Sequence, residues 1–139
     1  MRFRRFKQSC IAAFTILIPA GTASAQVPPD GAWIVRGPAP VGNQCSAWFV
    51  GLAVENGQLG AGVVGIDLGN INMQNLVLNP DGSFSGNTAA GFVNYQYVRP
   101  YTVVGQFTGD MVTLTLKSII CNDRTGSAMR QPLGLETHP

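Results

Sequence analysis

The stretch Asn79, Pro80, Asp81, Gly82, Ser83, Phe84, Ser85, Gly86 sets a turn directly ahead of an alternating strand. Proline fixes φ before the corner, and Asp and Gly tolerate the positive φ of a tight turn. Ser, Phe, Ser, Gly then alternate polar with apolar or small side chains at the two-residue period of a strand. The same figure stands upstream at Asn56, Gly57, Gln58, Leu59 and downstream at Gly105, Gln106, Phe107, Thr108, Gly109. The chain therefore reads as a run of short strands joined by tight corners.

Outward from that corner, strands are expected at 31–36, 47–54, 58–65, 71–78, from Ser83, 102–107, 111–120 and 125–131. Trp33 and Val35 belong to one core face, and Trp48, Val50, Leu52 and Val54 to another, by the alternation of a strand. Val112, Leu114 and Leu116 alternate with Thr113, Thr115 and Lys117, which marks a strand with one wet face. No stretch carries a helical period, and glycine and proline interrupt most candidates. Glycines flanking an aromatic leave room for bulky neighbours on adjacent strands, a mark of barrels and meanders. The expected fold is all-β: a single antiparallel up-and-down meander of about eight strands, with a closed barrel favoured over a two-sheet sandwich, and one disulfide.

The 139 residues divide into three parts. Arg2, Arg4, Arg5 and Lys7 precede an apolar run from Ile11 to Ile18, and Ala23, Ser24, Ala25 form a small-residue cleavage site, so residues 1–25 read as a signal peptide. Residues 26–131 are the expected all-β domain, and residues 132–139 a flexible C-terminal tail. The apolar run is too short for a bilayer span, and no membrane span is expected in the mature chain. Without the signal, five basic residues (Arg36, Arg99, Lys117, Arg124, Arg130) face seven acids, a formal charge of five minus seven, or −2. No basic patch remains to neutralise phosphates, which argues against nucleic acid as a partner.

Cys45 and Cys121 are the two cysteines that survive cleavage, and in an oxidising exported compartment they read as a disulfide. That pairing constrains topology. If residues 91–98 were another full crossing strand, the two cysteines would lie at opposite ends, roughly 20 Å apart, beyond the reach of a disulfide. With 91–98 as an excursion or a bulged extension of the preceding strand, both cysteines arrive at one rim, and eight strands can close.

Catalytic groups are scarce. The one histidine, His138, stands in the tail, which speaks against a Ser/His/Asp or Cys/His arrangement. Asp30, Asp81 and Asp110 adjoin glycines, and Glu55 and Asp123 adjoin asparagines, as turn residues do. Asp67 is the acid that turn chemistry explains least. No metal-ligand spacing or phosphate-cradling loop is present, so no cofactor is expected. Trp33 and Trp48 read as core residues. The disulfide end instead gathers Phe92, Tyr95, Tyr97, Arg99 and Tyr101, and Tyr with Arg is the composition of binding surfaces. Tyr95, Tyr97, Arg99 and Tyr101 are the candidate binding residues.

Asp30, Gly31, Ala32, Trp33, the segment Asp81 to Gly86, and Cys121 together resemble a broad group of short exported Gram-negative bacterial proteins of unknown function. That resemblance implies export, periplasmic or secreted, and a glycine-rich meander; it carries no activity. Gly31 and Trp33 are also similar to the opening of the first strand in the lipocalin and avidin superfamily, where a late arginine covers the tryptophan; Arg124 or Arg130 fits that role. A Thr, Asp, Tyr motif and an avidin-like set of tryptophans are missing. The expected function is a non-catalytic binding or interaction module of the cell envelope, acting on an unknown protein or envelope ligand. The alternatives are a small carbohydrate-active hydrolase using Asp67 with a second acid, and an inhibitor of an exported protease working through the loop 37–44.

Overall fold

The computed structural model describes residues 27–39 and 45–131. The expected signal peptide, the C-terminal tail and most of the loop 37–44 lie outside the described residues. Eleven strand segments and no helix are found among those described. They are β1 (Gly31–Gly37), β2 (Trp48–Glu55), β3 (Gln58–Ile66), β4 (Gly69–Asn72), β5 (Gln74–Leu78), β6 (Ser83–Asn87), β7 (Gly91–Val93), β8 (Gln96–Val98), β9 (Thr102–Thr108), β10 (Met111–Lys117) and β11 (Arg124–Met129).

Every ladder is antiparallel. One sheet has the order β1-β2-β3-β4, a second the order β11-β10-β9-β6-β5, and β7 with β8 forms a separate ribbon. The two sheets touch along both margins. On one side Ala32 and Gln131 exchange two backbone hydrogen bonds of 2.7 Å, and on the other the Met73 amide donates to the Gly62 carbonyl at 2.8 Å.

The corner at 79–82 forms as its residues dictate. Gly82 takes a positive φ of 89° and donates its amide to the Asn79 carbonyl at 3.0 Å. The Asp81 carboxylate accepts from both the amide and the hydroxyl of Ser83, at 2.9 and 2.7 Å, and these donors hold its carboxyl below the usual range. Asn56 and Gly57, both at positive φ, make the two-residue corner between β2 and β3.

Strands β1, β2, β3 and β9 each end one residue beyond the expected bound, and three other strands differ more. The strand at 71–78 is two segments, because Met73 turns its amide to Gly62 and buries its side chain between Gly62 and Gly86. The strand from Met111 stops at Lys117 rather than Ile120, where the chain bends so that Ser118 Oγ accepts from the Cys121 amide at 3.1 Å. The last strand runs Arg124–Met129 rather than 125–131, beginning one residue early and ending two short. Residues 91–98 are neither a crossing strand nor an extension of β6 but a hairpin of their own, an excursion from the main sheets.

Inward positions of the two sheets meet in one core. The Trp33 ring meets Phe107 edge-on and Phe107 meets Phe84, each with centroids 4.9 Å apart. Phe84 lies across its ladder partner Gly105, where a Cβ would stand 2.6 Å from the ring. Trp48, Val50, Leu52 and Val54 of β2 and Val112, Leu114 and Leu116 of β10 are all buried. The opposite face of β10 is wet, and Thr113 and Thr115 bond across the ladder to Ser127 and Thr125, each at 3.0 Å.

Candidate binding site at the disulfide end

The antiparallel order gives the molecule two unlike poles. At one stand the corners 55–57, 79–82 and 109–110. At the other stand the ends of β1, β3, β6 and β10 and the starts of β2, β9 and β11. Cys45 and Cys121 meet at this second pole as a disulfide with Cα atoms 6.2 Å apart, which is consistent with an oxidising, exported compartment.

Against the disulfide lies a hollow of about 400 Å³, within the size range of small-molecule sites. Its wall includes Asp67, Tyr97, Val98, Arg99, Tyr101 and Ile120. Three of the four candidate binding residues, Tyr97, Arg99 and Tyr101, are therefore brought together. Tyr95 is not in this wall: it sits at the tip of the β7–β8 hairpin and is 100% exposed. Tyr101 is only 8% exposed and belongs to the edge of the core, whereas Tyr97 and Arg99 are exposed.

Local structure holds this wall in place. Thr88 and Tyr101 exchange backbone contact at the neck of the hairpin: the Thr88 amide donates to the Tyr101 carbonyl, and the Tyr101 amide donates to Thr88 Oγ1, each at 2.9 Å. The Thr88 side chain is buried at this neck. At the hairpin tip Asn94 and Tyr95 both take positive φ, 48° and 65°, the two-residue corner that matches strand twist. Glycine is the usual occupant of the second place, and a tyrosine there costs of order 1–2 kcal/mol. Asn94 Nδ2 donates to the Leu68 carbonyl and ties the tip to the β3–β4 corner beside Asp67. The Phe92 and Tyr97 rings of the hairpin meet edge-on at 5.7 Å.

Arg124, which the sequence offered only as one of two arginines that fit a tryptophan-covering role, is buried here. It is 7% exposed, and its Nε, Nη1 and Nη2 have no hydrogen-bond partner among the described residues. Its Cζ lies 5.8 Å from the centroid of the Tyr101 ring, a weak cation–π contact. Such a contact offsets about 2 kcal/mol when desolvated, while the effective cost of burying an ion is several kcal/mol. A signal was present in the sequence. Thr125 and Ser127 face outward, so Arg124 shares the inward phase of Gly126 and Ala128.

The other arginine considered for covering the tryptophan stands at the opposite pole. Arg130 donates to the Asp110 carboxylate at 2.9 Å and to the Asp30 carbonyl at 3.0 Å, and the Trp33 indole N–H donates to the Asp110 carbonyl at 3.0 Å. Asp67 is the one carboxylate in the described wall of the hollow; its amide donates to Ser46 Oγ at 3.4 Å. No group of three or more metal-ligating side chains occurs among the described residues, and no helix among them is long and apolar enough to cross a membrane. A second, shallower depression of about 280 Å³ lies on the outer wall of β1–β3, among small and apolar residues such as Ile34, Gly51, Ala53 and Ala61. Compared with known proteins, the chain matches no family model, no curated protein and no solved structure.

Proposed function

We propose that this is an exported, disulfide-braced β-barrel whose work is non-catalytic binding at the cell envelope, through the pole that carries the disulfide. The observation that carries the reading is the hollow itself: Tyr97, Arg99 and Tyr101 converge on it, beside a covalent brace and under a tethered hairpin. Aromatic and arginine side chains held on a braced frame lose little entropy on binding. The bonds between Ala32 and Gln131 and between Met73 and Gly62 support closure of the two sheets into one barrel. A hydrolase using paired carboxylates needs a second acid beside Asp67, and the described wall of the hollow offers none, so the observations favour binding over that chemistry. The inhibitor alternative rests on the loop 37–44, most of which lies outside the described residues.

The test is retention of periplasmic material on the immobilised, oxidised protein. Tyr97→Ala combined with Arg99→Gln should abolish the retention that the wild type shows, while Thr113→Ala on the far wet face leaves it unchanged. Equal retention by all three proteins would remove the disulfide pole as the working surface.

A further inference from the structure

Deep in the same pole is a charge with no hydrogen-bond partner among the described residues. Arg124 opens β11 with its side chain in the inward phase; it is not itself a wall residue of the hollow, but its guanidinium rests against the ring of Tyr101, which is. All three guanidinium nitrogens are buried and unpaired among the described residues. The nearby acids do not serve it: Asp123, its neighbour in the chain, is paired to Lys117 at 3.1 Å, and Asp67 faces the hollow without an ion pair to either arginine. A guanidinium presents five N–H donors in a planar fork that matches an oxyanion. The wall of the hollow is part apolar, with Ile66, Leu68, Val98 and Ile120, and part polar, with Asp67 and Arg99.

Resting on the binding reading above, we propose that Arg124 is the anchor of the site: with the Tyr101 ring turned aside, it takes the oxyanion head of a small organic anion whose apolar body lies in the hollow against Tyr97 and Val98. The ligand class is an amphiphilic anion, with a carboxylate or sulfate head, rather than a neutral or cationic molecule. Arg99, exposed at the mouth, adds attraction at longer range; Arg124 supplies the directed hydrogen bonds. Binding removes the unpaired state of the guanidinium, so the anion should be preferred well beyond what the apolar body alone contributes.

The test is calorimetric titration of the oxidised protein with octanoate, octyl sulfate, octanol and octylamine, which share one apolar body. The wild type should bind the two anions about tenfold or more tighter than octanol, the least expected from a charge-assisted hydrogen bond, and octylamine weakest. In Arg124→Met the preference should collapse while octanol affinity persists; Arg99→Gln should keep most of the preference. Octanol binding in the wild type with no anion preference would overturn the anchor role while leaving the hollow as a binding site. A preference that survives Arg124→Met and vanishes in Arg99→Gln would overturn it in favour of Arg99. No binding of any of the four would overturn it too, and the retention experiment with Tyr97 and Arg99 variants then reports separately on the surface. The wild-type comparison needs no variant to fold.

Discussion

Single residues of this molecule carry costs that reveal what they are for. Arg124 is the largest: replacing an unpaired buried guanidinium by methionine should raise the stability of the ligand-free protein by about 1–4 kcal/mol, read as a higher urea midpoint. A fall would show that the guanidinium is already paired within the chain. Tyr95→Gly should stabilise by about 1 kcal/mol, since the left-handed backbone at φ 65° no longer carries a side chain, and a loss would mean that the exposed ring has a contact in the free protein. In the opposite direction, Gly105→Ala should cost about 1–3 kcal/mol, because its Cβ would press on Phe84 and on the Thr113 carbonyl, each 2.6 Å away. At the quoted corner, the lowered Asp81 carboxyl gives a pH dependence with a definite sign. Its contribution is present above the ordinary carboxylate value and is lost as pH falls through the lower folded value. Urea midpoints at about pH 7 and about pH 3 should therefore differ more in the wild type than in Asp81→Asn. The glycine and aromatic positions were legible from spacing alone. Arg124 was legible only as one of two candidate covering arginines, because a charged residue beside a turn reads as solvated until the phase of its strand is known.

Among the elements, those whose alternation is clean were legible and those that depend on a partner were not. Strands β2 and β10 announce their faces with valine and leucine at every second place, and both bury those residues as expected. The break at Met73 has no local signal. It arises because Gly62 and Gly86, distant in sequence, leave a slot for one thioether side chain. Residues 91–98 were recognised as an excursion through the cysteines rather than through their own pattern, and the disulfide they implied is present. The brace spans 76 positions, so in the chain-entropy model Cys45→Ser with Cys121→Ser should lower stability by roughly 4 kcal/mol. If that double variant unfolds at the same urea concentration as the parent, the brace has no role in holding this pole together.

For the molecule as a whole, the composition and strand period make an antiparallel all-β protein legible, while the joining of its two sheets rests on a few bonds that no pattern displays. Ala32, Gln131 and Met73 donate the amides that link the margins. In a closed barrel these three amides should exchange with solvent hydrogen as slowly as those of central β9, whereas the open edges of a sandwich would leave them fast. The polarity of the molecule follows from the same order of strands: tight, polar corners collect at one pole, and the brace, the tethered hairpin, the hollow and the buried charge at the other. On the binding reading, this second pole is where a ligand is held. The direct measurement is a titration of the isotope-labelled, oxidised protein with octanoate, followed by amide and arginine side-chain NMR. Shifts gathered on Asp67, Tyr97, Arg99 and Tyr101 and on the Arg124 guanidinium are the predicted result; shifts on the outer wall at Ile34, Gly51 and Ala61, or none at all, would contradict it.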